Sequence, residues 1–259
     1  MSYPINYPTP QGANVQIFQA PVRAVTSAWT TEWVKPQGAS MVWFTLIGAG
    51  GGGAGQDGAN TNYGGGSGAV TNCMVPAFLI PDILQVRVGK GGAAGSTGNN
   101  GSAGTDTNIY YQQKATTGYT LLTAKAGGAG QVGVGIGGGG GTSTSANYFA
   151  CAGFYQSIAG QTGATNTSVA TTTFLQAGDG PIASTTPSDV QYGYSVQRDS
   201  TGSDGFFMLR PIIVGAGGAR DANSPNFAAG NGGIGCGGAA GADAGGGNGG
   251  DGLVVIITW

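Results

Sequence analysis

From residue 89 to residue 104 a glycine stands at every third position: Gly89, Gly92, Gly95, Gly98, Gly101 and Gly104. The spacing returns near the C-terminus at Gly232, Gly235, Gly238, Gly241, Gly247 and Gly250, interrupted by Ala244, and a fragment of it occurs at Gly52, Gly55 and Gly58. A flexible linker has no use for such a register. A helix of three residues per turn does, because it sets every third Cα along one face. Glycine on that face lets a neighbouring backbone approach. Collagen also carries glycine in threes, but it needs abundant proline, and these tracts contain none. The spacing therefore predicts packed polyglycine II helices, which lack internal hydrogen bonds and must bond sideways to one another. At about 3.1 Å per residue, 89–104 would extend about 50 Å. A domain of this length has a radius of gyration of roughly 18 Å, so the tract is expected to cross it in one pass.

Glycine makes up 55 of 259 residues, and 44 of these fall in five tracts: 48–68, 89–104, 127–141, 215–218 and 230–252. Ordering glycine costs more backbone entropy than ordering any other residue. Only a cooperative lattice offsets that loss, so the tracts are expected to be the most ordered part of the chain.

Between the tracts lie short apolar, β-branched and aromatic runs at 29–34, 41–47, 84–88, 107–111, 119–123, 212–214 and 253–259. Their length and composition favour strands, and no window shows a capped 3.6-residue repeat. The expected fold is all-β, a sandwich or barrel with almost no α-helix. Residues 29–259 form the glycine-rich domain, with a polar insertion at about 142–206. Tyr148, Tyr155, Tyr192 and Tyr194 give that insertion the composition of adaptable recognition loops. Core packing is the competing role for its phenylalanines. Residues 1–28 read as a docking arm, with Tyr3 and Tyr7 each followed by proline, and Ile17 and Phe18 available to a partner. The alternative is a terminal strand built on Val15, Ile17 and Phe18.

Several function classes are disfavoured. The chain has no histidine, which removes the commonest general base and metal ligand. Charged residues are 8% of the total and the formal net charge is −2, so there is no electrostatic footprint for nucleic acid or an anionic membrane. No apolar run is long enough to insert in a bilayer as a helix. Cys73, Cys151 and Cys236 are widely spaced and odd in number, unlike a disulfide scaffold. Gly48-Ala49-Gly50-Gly51-Gly52-Gly53 fits the dinucleotide fingerprint after a strand, yet no helix opens there and no acid follows at the required distance. The aspartates are dispersed and form no calcium loop. No catalytic, cofactor or metal site is expected.

The order of motifs carries a further signal. Trp33-Val34-Lys35-Pro36-Gln37-Gly38 is followed by Leu46-Ile47-Gly48-Ala49-Gly50, then Leu84-Gln85-Val86-Arg87-Val88-Gly89, Pro211-Ile212-Ile213-Val214-Gly215 and Asp251-Gly252-Leu253-Val254-Val255-Ile256-Ile257-Thr258-Trp259. Over about 29–259 this resembles the glycine-rich domain of bacteriophage tail-fibre and other virion proteins. More distantly it resembles the glycine-rich extracellular domain of anaplastic lymphoma kinase-type receptors. The resemblance implies a jelly-roll or tumour-necrosis-factor-like sandwich carrying polyglycine II helices, and a structural or adhesive role without enzymatic activity. The expectation is a virion-surface protein, anchored to other virion proteins by its arm and contacting a host receptor as a homotrimeric adhesin. A capsid decoration protein or head fibre is the alternative. A secreted receptor or ligand module ranks lower, because the start of the chain lacks a signal-peptide pattern.

Overall fold

The computed structural model describes residues 12–21, 27–55, 63–114, 117–133, 137–142, 154–163, 183–184, 220–221, 229–241 and 245–259. Its strands are β1 (Asn14–Gln19), β2 (Trp29–Val34), β3 (Met41–Ile47), β4 (Val70–Pro76), β5 (Ile83–Val88), β6 (Thr107–Lys114), β7 (Thr117–Ala124), β8 (Phe154–Ile158), β9 (Ala183–Ser184), β10 (Arg220–Asp221) and β11 (Leu253–Thr258). Two antiparallel sheets, ordered β1-β11-β3-β4-β8 and β2-β5-β6-β7, face each other across one core, and β9 pairs with β10 in parallel. Among the described residues the only helical element is a single 3-10 turn at Ala77–Leu79. The protein is thus an all-β sandwich.

Alternation in the sequence sets the two faces. In β5, Leu84, Val86 and Val88 point inward while Ile83 and Arg87 are exposed and Gln85 is half-buried. From the other sheet Val42, Phe44, Leu46, Cys73, Val75, Val254 and Ile256 meet them. Trp33 sits edge-on to Phe44 at 6.0 Å between centroids. Burying a side chain of this class contributes roughly 1.5–3 kcal/mol. β11 is buried along its whole length, because Leu253, Val255 and Ile257 join Ile47 and Val70 in a second apolar cluster on the other side of its sheet.

Strands β1 and β4 are among those that differ from the sequence reading. Residues 14–19, assigned there to the arm, pair with β11 from Asn14↔Thr258 to Gln19↔Leu253. Their β-branched alternation takes the terminal-strand alternative: Phe18 packs on the core while Ile17 remains 46% exposed. β4 was not anticipated at all, since Thr71 and Asn72 dilute its apolar character. Both are buried with partners: Thr71 donates to the Thr123 carbonyl at 2.8 Å, and Asn72 accepts from the Thr45 hydroxyl at 2.9 Å. The run at 212–214 lies outside the described residues.

Among the described residues, the strands that border glycine tracts meet them at one end of the sandwich. Ile47 leads into Gly48, Gly68 leads toward Val70, Val88 leads into Gly89, and Gly252 leads into Leu253. The opposite end carries Asn14, paired across from Thr258, and Ser40, whose amide donates to the Trp259 carbonyl at 2.7 Å.

Candidate functional site

From that end the chain continues as extended glycine legs. Successive amides of leg 48–55 turn to three different neighbours. Gly50 and Gly53 donate to Gly250 and Gly247, Gly51 and Ala54 to Gly66 and Tyr63, and Gly52 and Gly55 to Ser102 and Asn99, all at 2.9–3.1 Å. Its carbonyls accept from three further legs. Gly127 and Gly130 donate to Ala49 and Gly52, Gly92 and Gly95 to Gly50 and Gly53, and Gly238 and Gly241 to Gly51 and Ala54. Every pairing repeats after three residues. The legs that accept run antiparallel to 48–55 and the legs that donate run parallel. Leg 48–55 is therefore the axis of a hexagonal bundle, the hydrogen-bond arrangement of polyglycine II, in which a backbone without internal bonds is satisfied from all sides.

The density of glycine follows position in the lattice. All of 48–55 is buried, and a Cβ on Gly50, Gly51, Gly52 or Gly53 would overlap the carbonyl of Cys236, Gly128, Ala93 or Ala239 respectively. An axial leg thus needs glycine at nearly every residue. In the outer leg 89–95, Gly92 and Gly95 are buried, whereas Ala93 is exposed and Ala94 half-exposed. An outer leg meets the lattice on one side only, and that side recurs every third residue.

All twelve glycines singled out by period donate their amides to another segment or across a turn. Gly89 donates to the Thr107 hydroxyl and Gly92, Gly95 and Gly98 to leg 48–55; Gly101 and Gly104 donate to Gly130 and Gly127. Gly232 and Gly235 donate to Asn248 and Asp251, Gly238 and Gly241 to Gly51 and Ala54, and Gly247 and Gly250 to Ala239 and Cys236. The single 50 Å pass expected for 89–104 is not what the chain does. It reverses at Gly98 (φ 76°), and the return leg bonds back through Ser102 to Ala93 and Thr105 to Lys90. Tract 230–252 likewise reverses at Gly235 (φ 74°) and supplies three legs. Short legs stay within the width of the lattice, and the left-handed backbone of each reversal suits glycine.

Side chains close the lattice edge, two of the dispersed aspartates among them. Asp251 accepts the Gly91 amide at 2.8 Å through one oxygen and pairs with Lys90 at 3.0 Å through the other. Asp106 does the same for the Ala126 amide (2.9 Å) and Lys125 (2.7 Å). Asn248 and Asn100 accept the amides of Ala94 and Val132, both at 2.8 Å. For Asp251 and Asn248 the available signal was an acid or amide between two glycines; Asp106, between threonines, and Asn100, after Asn99, carried none.

Tyr155, expected on a recognition loop, lies in β8 opposite Cys73 and packs against the core. Tyr3, Tyr7, Tyr148, Tyr192 and Tyr194 lie outside the described residues. Cys73 and Cys236 are buried and form no disulfide, and burial pushes the Cys73 thiol up to about 12. Among the described residues no three His, Cys, Asp or Glu side chains gather as a metal site.

A sandwich whose strands run out into a hydrogen-bonded glycine bundle defines a glycine-rich β module. The family comparison agrees: the model of the glycine-rich domain matches residues 26–259, and the chain belongs to that family. No curated protein gives a significant match.

Proposed function

We propose that this protein is a non-enzymatic structural component of a bacteriophage particle, displayed on its surface as a tail-fibre-type adhesin. The reading draws on the resemblance of its motif order to virion glycine-rich domains. The observation that carries it is the opposite placement of two segments. β1 starts at Asn14, at the end of the sandwich away from the lattice, so residues 1–13 reach the domain at its base. On the lattice side, Gly163 donates to Gly138, which donates to Gly64, and Ala229 donates to Gly245. The described residues on either side of 164–228, Gly163 and Ala229, both lie in the lattice and not at the Asn14 end of the sandwich.

An N-terminal segment entering at one end and a long span bracketed by the lattice at the other suit a protein that holds a particle and reaches for a surface. The base has a fitting character. Val34 and Ile83, neighbours across β2 and β5, are exposed beside Phe78 and Leu79 of the 3-10 turn. Lys35 holds this corner through the carbonyls of Ala77 and Ile80, both at 3.0 Å, and through Asp82 at 2.8 Å. A jelly-roll-like homotrimer seated on such apolar corners completes the reading, with the host receptor met by the lattice end.

Labelling of purified particles with an antibody to this protein tests it. Label at the ends of tail fibres is the expected result. Label on the head would replace the adhesin by a capsid decoration protein, and unlabelled particles would end the virion reading. Deleting residues 1–11 should release the protein from particles. A deletion through residue 25 would remove β1 and confound attachment with folding.

A further inference from the structure

The outer face of the four-stranded sheet carries two side-chain rows in register across its strands. One row is Thr30, Arg87, Asn108 and Thr123; the next is Glu32, Gln85, Tyr110 and Thr120. Between them lies a shallow groove of about 400 Å³, lined by Thr30, Arg87, Asn108, Tyr110 and Thr120 together with Ser27 and Ala28.

Its charge is uncompensated. Lys35, Lys90 and Lys125 each pair with an aspartate at 3.0 Å or less. Arg87, exposed in the groove, is the cation among the described side chains without a carboxylate partner. Among the described residues no acid lines the groove. The nearby Glu32 is held by Gln85, whose amide donates to it at 3.0 Å. Asn108 is oriented by its neighbour as well. Its carbonyl oxygen accepts the Thr123 hydroxyl at 2.8 Å, which leaves its NH2 group to serve as the donor. The groove therefore presents a guanidinium fork, an amide donor, hydroxyls and one aromatic ring. In a chain with few charges, that combination selects an anion which also carries hydroxyls.

We propose that this groove binds a carboxylated sugar. The carboxylate takes the Arg87 fork, whose planar geometry suits bidentate pairing. Asn108, Thr30 and Thr120 take ring hydroxyls, and Tyr110 supplies an apolar face and a hydroxyl. The site lies on the four-stranded sheet and does not depend on where the protein resides.

The test is titration of the full chain with a hyaluronan tetrasaccharide and with sialyllactose, followed by amide chemical shifts. Chitotetraose, lactose and inorganic phosphate serve as comparisons. At least one acidic sugar should shift Thr30, Arg87, Asn108, Tyr110 and Thr120 and bind with a Kd below about 10 mM. The neutral sugars and phosphate should bind at least about tenfold more weakly, and added salt should weaken the acidic sugar. Arg87→Gln should lose at least about tenfold in affinity while the unfolding midpoint stays unchanged, because the side chain is exposed. No shift with either acidic sugar, unchanged affinity in Arg87→Gln, or phosphate binding as tightly as the sugar acid would each overturn the proposal.

Discussion

Gly50 donates its amide to the carbonyl of Gly250 at 2.9 Å, and one turn along the same two legs Gly53 donates to Gly247 at 2.9 Å. This antiparallel contact ties a leg that leaves β3 to a leg that enters β11. Those strands are themselves paired, from Leu253↔Ile47 to Thr258↔Val42. The sandwich thus hands its register to the lattice: once β3 and β11 are aligned, the glycine legs start at matched heights.

Adjacent glycines should respond differently to the same substitution. A Cβ on Gly138 would overlap the Gly128 carbonyl and press on the Gly66 amide, whereas a Cβ on Gly139 meets nothing. Gly138→Ala is expected to cost about 3 kcal/mol or more, because backbone on both sides must move. Gly139→Ala should stay within about 1 kcal/mol of the parent, since it also restricts the unfolded chain. Urea unfolding of the two variants provides the comparison.

The lattice edge is sensitive to acceptor chemistry. Asp251→Ala leaves the Gly91 amide and Lys90 without their shared partner and should cost about 1–3 kcal/mol. Asp251→Asn retains one acceptor oxygen for Gly91 and loses only a partly exposed ion pair, so about 1 kcal/mol or less is expected. Thermal unfolding at low and high salt separates the two contributions, since only the ion pair is screened.

Burial controls Cys73. Its thiol is raised from 9.0 to about 12 by desolvation, so the folded protein should resist alkylation at pH 8–9 and react at Cys73 only when unfolded. The sign of the linkage follows. Between pH 9 and 12 the unfolded chain releases the proton while the folded one keeps it, so this group lowers stability as pH rises above 9. Mass spectrometry of labelled peptides and unfolding midpoints across that range check both statements.

Trp33 is nearly fully buried, and its indole N–H has no hydrogen-bond partner. Trp33→Phe removes that stranded donor along with some ring volume, and the two effects oppose. The expected net cost is below about 1.5 kcal/mol, against about 3–5 kcal/mol for Trp33→Ala. Denaturant midpoints decide it.

Strand positions were legible wherever alternation or an apolar run was strong, as in β5 and β11. β4 escaped because Thr71 and Asn72 are buried only by virtue of partners in distant segments. In the outer leg, period three falls on Gly92 and Gly95, the buried residues that face the lattice. The reversals at Gly98 and Gly235 were hidden, because a residue required for close approach and a residue required for positive φ are both glycine. The edge acceptors Asp106, Asp251, Asn100 and Asn248 could not be separated from ordinary turn residues until the legs were placed side by side.

Amide hydrogen exchange of leg 48–55 is the decisive measurement for the idea that glycine here builds order. Gly50, Gly51, Gly52, Gly53, Ala54 and Gly55 each donate a backbone hydrogen bond inside the bundle. Their exchange should be as slow as that of β3 and β11, opening only with global unfolding. Exchange of these amides at the rate of an unstructured peptide, while the β3 and β11 amides stay protected, would contradict the lattice.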